Sequence, residues 1–264
     1  MKYAFSRRQL AIPYAIFLIL FVILPLLVVI FYAFTNGDGQ VSFRNFLAFF
    51  GSSKTVGTLL YSVVIAVTTT LICLLIAYPT AYVLAKTNMK SGDALLLLFV
   101  LPMWINFTLR ITALKEILTL LEGNLALHPF LNTIVGMVYD FLPFMVLPIY
   151  NAMCKIDRGL IDAAADLGAG RMDIFRKVVL PLSMPGVISG IIMVFIPSIS
   201  EFAIADILGG SKILLIGNVI EQEFSLSNNW NLGSGLSIVL MIFIFVSMAV
   251  MNKNDAEGEA QILW

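Results

Sequence analysis

At 264 residues the chain could hold one or two soluble domains, but 60% of it is hydrophobic and 12% charged, with a mean hydropathy of +0.97. A soluble domain is about 25% charged, so the composition excludes that class and points to an all-α membrane protein. The 16 basic and 16 acidic residues cancel, which argues against a nucleic-acid partner, and Cys73 and Cys154 lie too far apart to imply a disulfide or metal framework.

The spacing predicts six spans, at roughly 10–34, 58–85, 94–118, 131–153, 184–208 and 234–251, within a single membrane domain covering 1–264. Met1 to Gln9 is short and basic, and Leu10 to Phe34 is then uncharged for 25 residues. At about 1.5 Å per residue such a run crosses a hydrocarbon core of about 30 Å with some tilt. A signal peptide is the rival reading, but its apolar region would be about 7–15 residues. Between the first two spans, Phe43, Phe46, Phe49 and Phe50 recur at near-helical spacing and suit a short interfacial helix. The short basic loop Lys86–Asp93 precedes a third span broken by Pro102 and carrying Arg110. The next loop holds Glu122 and His128, a lone histidine that reads as a solvated side chain. The fourth span contains Asp140, Pro143 and Pro148, and the fifth is interrupted by Pro197 and Glu201, with Asp206 nearer its end. Gly209 to Gly233 reads as a long polar loop, and the tail Asn252–Trp264 as an acidic, frayed end.

A polar island lies between the fourth and fifth spans, over 154–182. Nine of the chain's 32 charged residues fall between Lys155 and Lys177, and such a cluster must sit in water or against another protein. Asp157 suits the N-cap of a helix beginning at Arg158, and Gly168 suits the C′ position that ends it. A second helical run, Arg171 to Val179, places Ile174, Phe175, Val178 and Val179 on one apolar side, until Pro181 stops it or hands it to the next span. Taken alone, this is also the pattern of an ordinary amphipathic connector.

Its spacing is more particular. Asp162, Ala163, Ala164, Gly168, Val178, Leu180 and Pro181 resemble the EAA signature of the membrane subunits of bacterial ABC importers. Aspartate stands at 162 where glutamate is usual, and valine at 178 where isoleucine is usual. The resemblance implies a type I importer permease fold in the bacterial inner membrane, with the island as the cytoplasmic coupling segment that docks on an ATP-binding subunit. It also implies a second permease subunit and an external substrate-binding protein. Leu101-Pro102-Met103-Trp104-Ile105-Asn106 with Leu109-Arg110, and Leu208-Gly209-Gly210 with Ile216-Gly217-Asn218-Val219-Ile220 and Phe224, resemble signatures of the spermidine/putrescine permeases. That likeness implies polyamines as the substrate.

Chemistry of the chain's own is not expected. Gly209-Gly210-Ser211-Lys212 lacks the spacing of a phosphate-binding loop, and no protease or hydrolase motif is present. The chain therefore reads as a non-catalytic transport subunit without a cofactor, its energy supplied by another chain. Ionisable groups within spans are functional candidates by default. Asp140 and Glu201 could face a wet cavity and attract a cation, with Trp104 or Tyr139 as an aromatic wall. Equally, they could pair with Arg110 and lock helices together. Import of another solute (thiamine, an iron complex or an anion) by the same architecture stays open, as does a stand-alone channel or secondary carrier.

Basic residues set the orientation. With both termini in the cytoplasm, Lys2, Arg7, Arg8, Lys86, Lys90, Lys155, Arg158, Arg171, Arg176, Lys177 and Lys253 lie inside, against Arg44, Lys54 and Lys212 outside. In a background without Cys73 and Cys154, Arg171→Cys is expected to be labelled only from the cytoplasm and Ser227→Cys only from outside. Labelling of position 171 in intact cells by an impermeant reagent would contradict this orientation.

Overall fold

The computed structural model describes residues 7–86, 92–210 and 212–262, and these are helical almost throughout. The described residues hold five helices long and apolar enough to cross a membrane, or six if one bent pair counts as a single span. The chain divides into two compact units, Met1–Val56 with Val219–Phe243, and Gly57–Asn218 with Ile244–Trp264.

In the first unit, residues 7–33 form α1, whose apolar span Ile12–Ala33 is almost wholly exposed, Ala33 at its end being buried. At Ile19–Ile23 the helix widens into a π turn, closed by the Leu24 N–H on the Ile19 carbonyl, directly before Pro25. Proline has no N–H to give, and its ring crowds the carbonyl four residues back; one wider turn relieves both problems without ending the helix. Past Ala33 the freed carbonyls need donors, and two asparagines supply them. Asn45 donates Nδ2–H to Ala33 O at 2.8 Å and Thr35 O at 3.0 Å, and Asn231 donates to Thr35 O at 2.8 Å and Tyr32 O at 3.1 Å. Asn45 lies on α2, Arg44–Gly51, the short helix expected from the phenylalanine spacing; Phe49 is buried on it and Phe50 exposed.

The second unit holds α3 (Ser53–Lys86) from Gly57 on, then α4 (Gly92–Val100), α5 (Phe107–Glu122), α6 (Pro129–Cys154), α7 (Arg158–Asp166), α8 (Arg171–Ser200) and α9 (Ala203–Leu208). The basic loop 86–93 falls partly on 87–91, outside the described residues. The core is the seam between α6 and α8, where Met145, Ile149 and Met153 are fully buried. Glycines allow the close approach: a Cβ at Gly186 would meet Ala152 Cβ at 2.5 Å and Pro148 O at 2.6 Å, and one at Gly190 would meet Met145 Sδ at 2.7 Å. Between helices in lipid, such small-residue contacts substitute for the missing hydrophobic drive.

The third span is broken at Pro102 as expected, into α4 and α5, bent by 97° across a 3₁₀ turn at Leu101–Trp104. Pro102 favours the turn, and Asn106 restarts the helix by accepting the N–H groups of Thr108 (2.9 Å) and Leu109 (3.4 Å). Other expectations need correction. The fifth span starts at Arg171, inside the island, because a π turn at Phe175–Val179 absorbs Pro181 as the earlier one absorbs Pro25; the interruption expected at Glu201 is the break between α8 and α9, while Pro197 stays inside α8. Finally, the loop after Leu208 contains a helix, α10 (Ile216–Ser225), and the last helix, α11, runs from Trp230 to Ile262, through most of the tail expected to fray.

The α6–α8 seam generates a direct test. Gly186→Val would push a branched side chain into the α6 backbone, a misfit of about 1–3 kcal/mol, and is expected to lower the melting temperature of the detergent-purified protein. An unchanged melting temperature would show that the seam is looser than described.

Candidate functional site

The polar hairpin is built as the sequence reading expects. Asp157 Oδ1 accepts the Gly159 N–H at 2.9 Å and starts α7. Gly168 has φ +82°, with Gly168 N–H on Ala165 O (2.9 Å) and Ala169 N–H on Ala164 O (3.0 Å), the bond pair of a Schellman ending. No residue of α7 is buried: Asp162 and Ala163 are exposed and Ala164 half-buried. Apolar side chains stand out in water beside them, Leu167 being 90% exposed, with Leu160 and Met172 also exposed. Between the end of α7 and the start of α8 lies a hollow of about 330 Å³ lined by Ala164, Gly168, Asp173 and Val178 among others. Lys177 pairs with Asp173 at 3.0 Å, one turn away and exposed.

The base of the hairpin is anchored to α3. Phe175 meets the rings of Tyr78 and Tyr82 edge-on, each at 5.9 Å, and Tyr78 Oη lies 2.9 Å from Ser183 Oγ. Leu180 and Pro181 are half-buried where α8 leaves the π turn. The signature residues therefore occupy two places, with Asp162, Ala163, Ala164 and Gly168 on the exposed hairpin and Leu180 and Pro181 at its root.

Within the membrane segments, Arg110 of α5 and Asp140 of α6 meet through Nη2 and Oδ1 at 2.5 Å, with both side chains buried. The Arg110 guanidinium carbon lies 5.8 Å from the centre of the Tyr139 ring. Glu201 occupies the break between α8 and α9, half-buried, and accepts the Ile204 N–H at 3.1 Å. The helix that follows Glu201, α9, packs on both α5 and α6, which carry Arg110 and Asp140. Trp104, by contrast, stands 79% exposed on the turn between α4 and α5, and the aromatic ring against the charged pair is that of Tyr139. Among the described residues, no group of three or more His, Cys, Asp or Glu could hold a metal ion.

Residues not assigned a role by sequence reasoning hold the α8–α9 break. Asn218, 1% exposed, donates Nδ2–H to Phe202 O (3.1 Å) and Asp206 Oδ1 (2.6 Å) and accepts the Leu215 N–H (2.9 Å). Ser62 of α3 accepts the Ile216 N–H at 2.8 Å and donates to Thr58 O. A single asparagine between Ile216-Gly217 and Val219-Ile220 was the available signal: in such surroundings a polar side chain must have partners.

The comparisons with known proteins agree with this anatomy. The family model described as "Binding-protein-dependent transport system inner membrane component" matches residues 77–255. The chain is 40% identical to the "Spermidine/putrescine transport system permease protein PotB" of Haemophilus influenzae, over 92% of each chain. It is 35% identical to the protein of the same description from Escherichia coli K12, over 88% of this chain and 92% of that one. In fold it is similar to a chain of a bacterial ABC transporter for import of the acidic polysaccharide alginate, with TM-score 0.65 at 15% identity over 93% of this chain and 94% of the other. The MetNI methionine ABC transporter gives TM-score 0.61 at 19% identity over 77% and 95%. With family, relatives and fold in accord, the chain belongs to the inner-membrane components of binding-protein-dependent transport systems.

Proposed function

We propose that this chain is one permease subunit of an ATP-driven importer for polyamines of the spermidine and putrescine type. The observation that carries the reading is its near full-length similarity to the spermidine/putrescine permease proteins. In this reading residues 1–264 act as one permease domain with both termini in the cytoplasm. A second permease subunit completes the pathway, an external binding protein delivers the substrate, and cytoplasmic ATP-binding subunits hydrolyse the nucleotide. This chain is not itself an enzyme.

The chemistry of the two regions supports that division of labour. An exposed helix with bare leucines and an adjoining hollow is suited to burial against a soluble partner. Its root is anchored by Phe175 on α3 and continues into α8 without ending, so a push on α7 reaches the membrane through a stiff helix. At the far end of α8 stands Glu201, before α9, which packs on the helices of the Arg110–Asp140 pair. Carboxylates on separate elements with an aromatic face nearby suit a flexible chain bearing several ammonium groups. Asp140, Glu201 and Trp104 are assigned to the substrate pathway, and Asp162, Ala163, Ala164, Gly168, Leu180 and Pro181 to coupling.

Cells lacking the gene and complemented with variants test both assignments by uptake of radiolabelled spermidine and putrescine. Gly168→Val strains a left-handed residue by about 1–2 kcal/mol. With Asp162→Lys, it is expected to cut uptake on the order of tenfold, the effect of ~1.4 kcal/mol of lost docking, while the protein still inserts. Normal uptake in both would contradict the coupling role.

Glu201→Gln and Asp140→Asn are expected to reduce uptake, and Trp104→Ala to reduce it less, because a cation–π contact is worth about 0.5–2 kcal/mol. Recovery of the ATPase complex is the control, since Asp140→Asn strips Arg110 of its partner. Normal transport by both carboxamide variants would remove the acids from the pathway.

A further inference from the structure

Arg110 is held less fully than its burial demands. It is 9% exposed and Asp140 7%, yet they meet through one hydrogen bond. A guanidinium carries five N–H donors and commonly grips a carboxylate with two of them. Here Nε and Nη1 are buried and have no hydrogen-bond partner among the described residues. Bare buried donors are unfavourable, more so when charged, so this arrangement favours a second state in which the guanidinium finds more acceptors.

The surroundings of Arg110 match what an alkylammonium needs. There is a carboxylate oxygen from Asp140 and the face of Tyr139 at 5.8 Å, in a buried setting. We propose that Arg110 is a resident stand-in for the substrate: its guanidinium occupies Asp140 between transport events, and an ammonium group of the incoming polyamine displaces it from that carboxylate. This deepens the polyamine reading and rests on it.

Glu201 gives the displaced guanidinium a destination. It is a second carboxylate in the same unit, and it stands where the helix is already interrupted between Ser200 and Ala203. The element that follows, α9, touches the helices carrying both Arg110 and Asp140. An arginine moving from Asp140 towards Glu201 therefore changes the contact between α5 and the α8–α9 joint. Displacement by a cation and movement of the break become one event.

Equilibrium binding of radiolabelled spermidine to the purified permease–ATPase complex, without the binding protein and at mildly alkaline pH, tests this directly. Arg110→Gln frees the carboxylate from its resident competitor. If that competitor leaves Asp140 free about a tenth of the time, its loss is expected to tighten binding about tenfold. Adding Asp140→Asn to Arg110→Gln is expected to abolish the gain. Unchanged or weaker binding by an intact Arg110→Gln complex would overturn the proposal, as would a gain that persists in the double variant. Should Arg110→Gln fail to assemble, Arg110→Lys serves: an ammonium cannot lie flat on Tyr139, so binding is expected to tighten about threefold, and no change overturns the proposal. A wild-type importer that takes up no polyamine would overturn the substrate reading and this inference together. Normal wild-type uptake with no gain on loss of Arg110 would overturn the inference alone.

Discussion

A charge carried into a membrane must be met by another charge, and the pairing of Arg110 with Asp140 is the contact on which the rest of the membrane core depends. Neither residue is tolerable there alone. To bring them together, α5 must lie against α6, and that requires the chain to turn sharply before it. The 97° bend between α4 and α5, with Asn106 capping the new helix, provides the turn. Helix α9 then packs against both helices that carry the pair, and Asn218 holds the backbone of the break that leads into α9. A set of polar residues spread over more than a hundred positions thus meets one electrostatic demand.

The hairpin obeys the opposite rule. Its polar groups are satisfied locally, by the Asp157 cap and the Gly168 ending, and its apolar groups are the ones left without cover. A helix nine residues long is marginal in water by itself, so α7 depends on its caps and on its attachment to α8. The π turn before Pro181 gives that attachment its continuity. Had the proline ended the helix, a second break would follow the Gly168 turn that already separates α7 from α8.

Much of this was legible in the sequence because local rules decide it. The N-cap at Asp157, the glycine ending at 168 and the short helix among the phenylalanines near 46 follow from residue type and spacing over a single turn or two. The bend at 101–106 was only half legible: Pro102 marks an interruption, but its angle is set by how α5 packs, which no local pattern records. An interruption at Glu201 was legible, but Pro197, named with it, stays inside α8, and no local pattern shows that α8 ends at Ser200 with a separate helix beyond. What settles the matter is Asn218, sixteen residues beyond Phe202, taking that residue's carbonyl. The pairing of Arg110 with Asp140 was one of two readings open to sequence, and choosing it required α5 and α6 side by side.

The central claim is that this chain passes a polyamine through the membrane when a partner hydrolyses ATP, with the hairpin carrying the coupling. Its most direct measurement is accumulation of radiolabelled spermidine in proteoliposomes that contain this chain, its partner permease and the ATP-binding subunits, with binding protein on the substrate side. The expected result is accumulation against a gradient that requires ATP on the hairpin's side and stops when ATP is withheld. Equal spermidine flux without ATP or without the ATP-binding subunits would contradict the account and identify a channel or a secondary carrier instead.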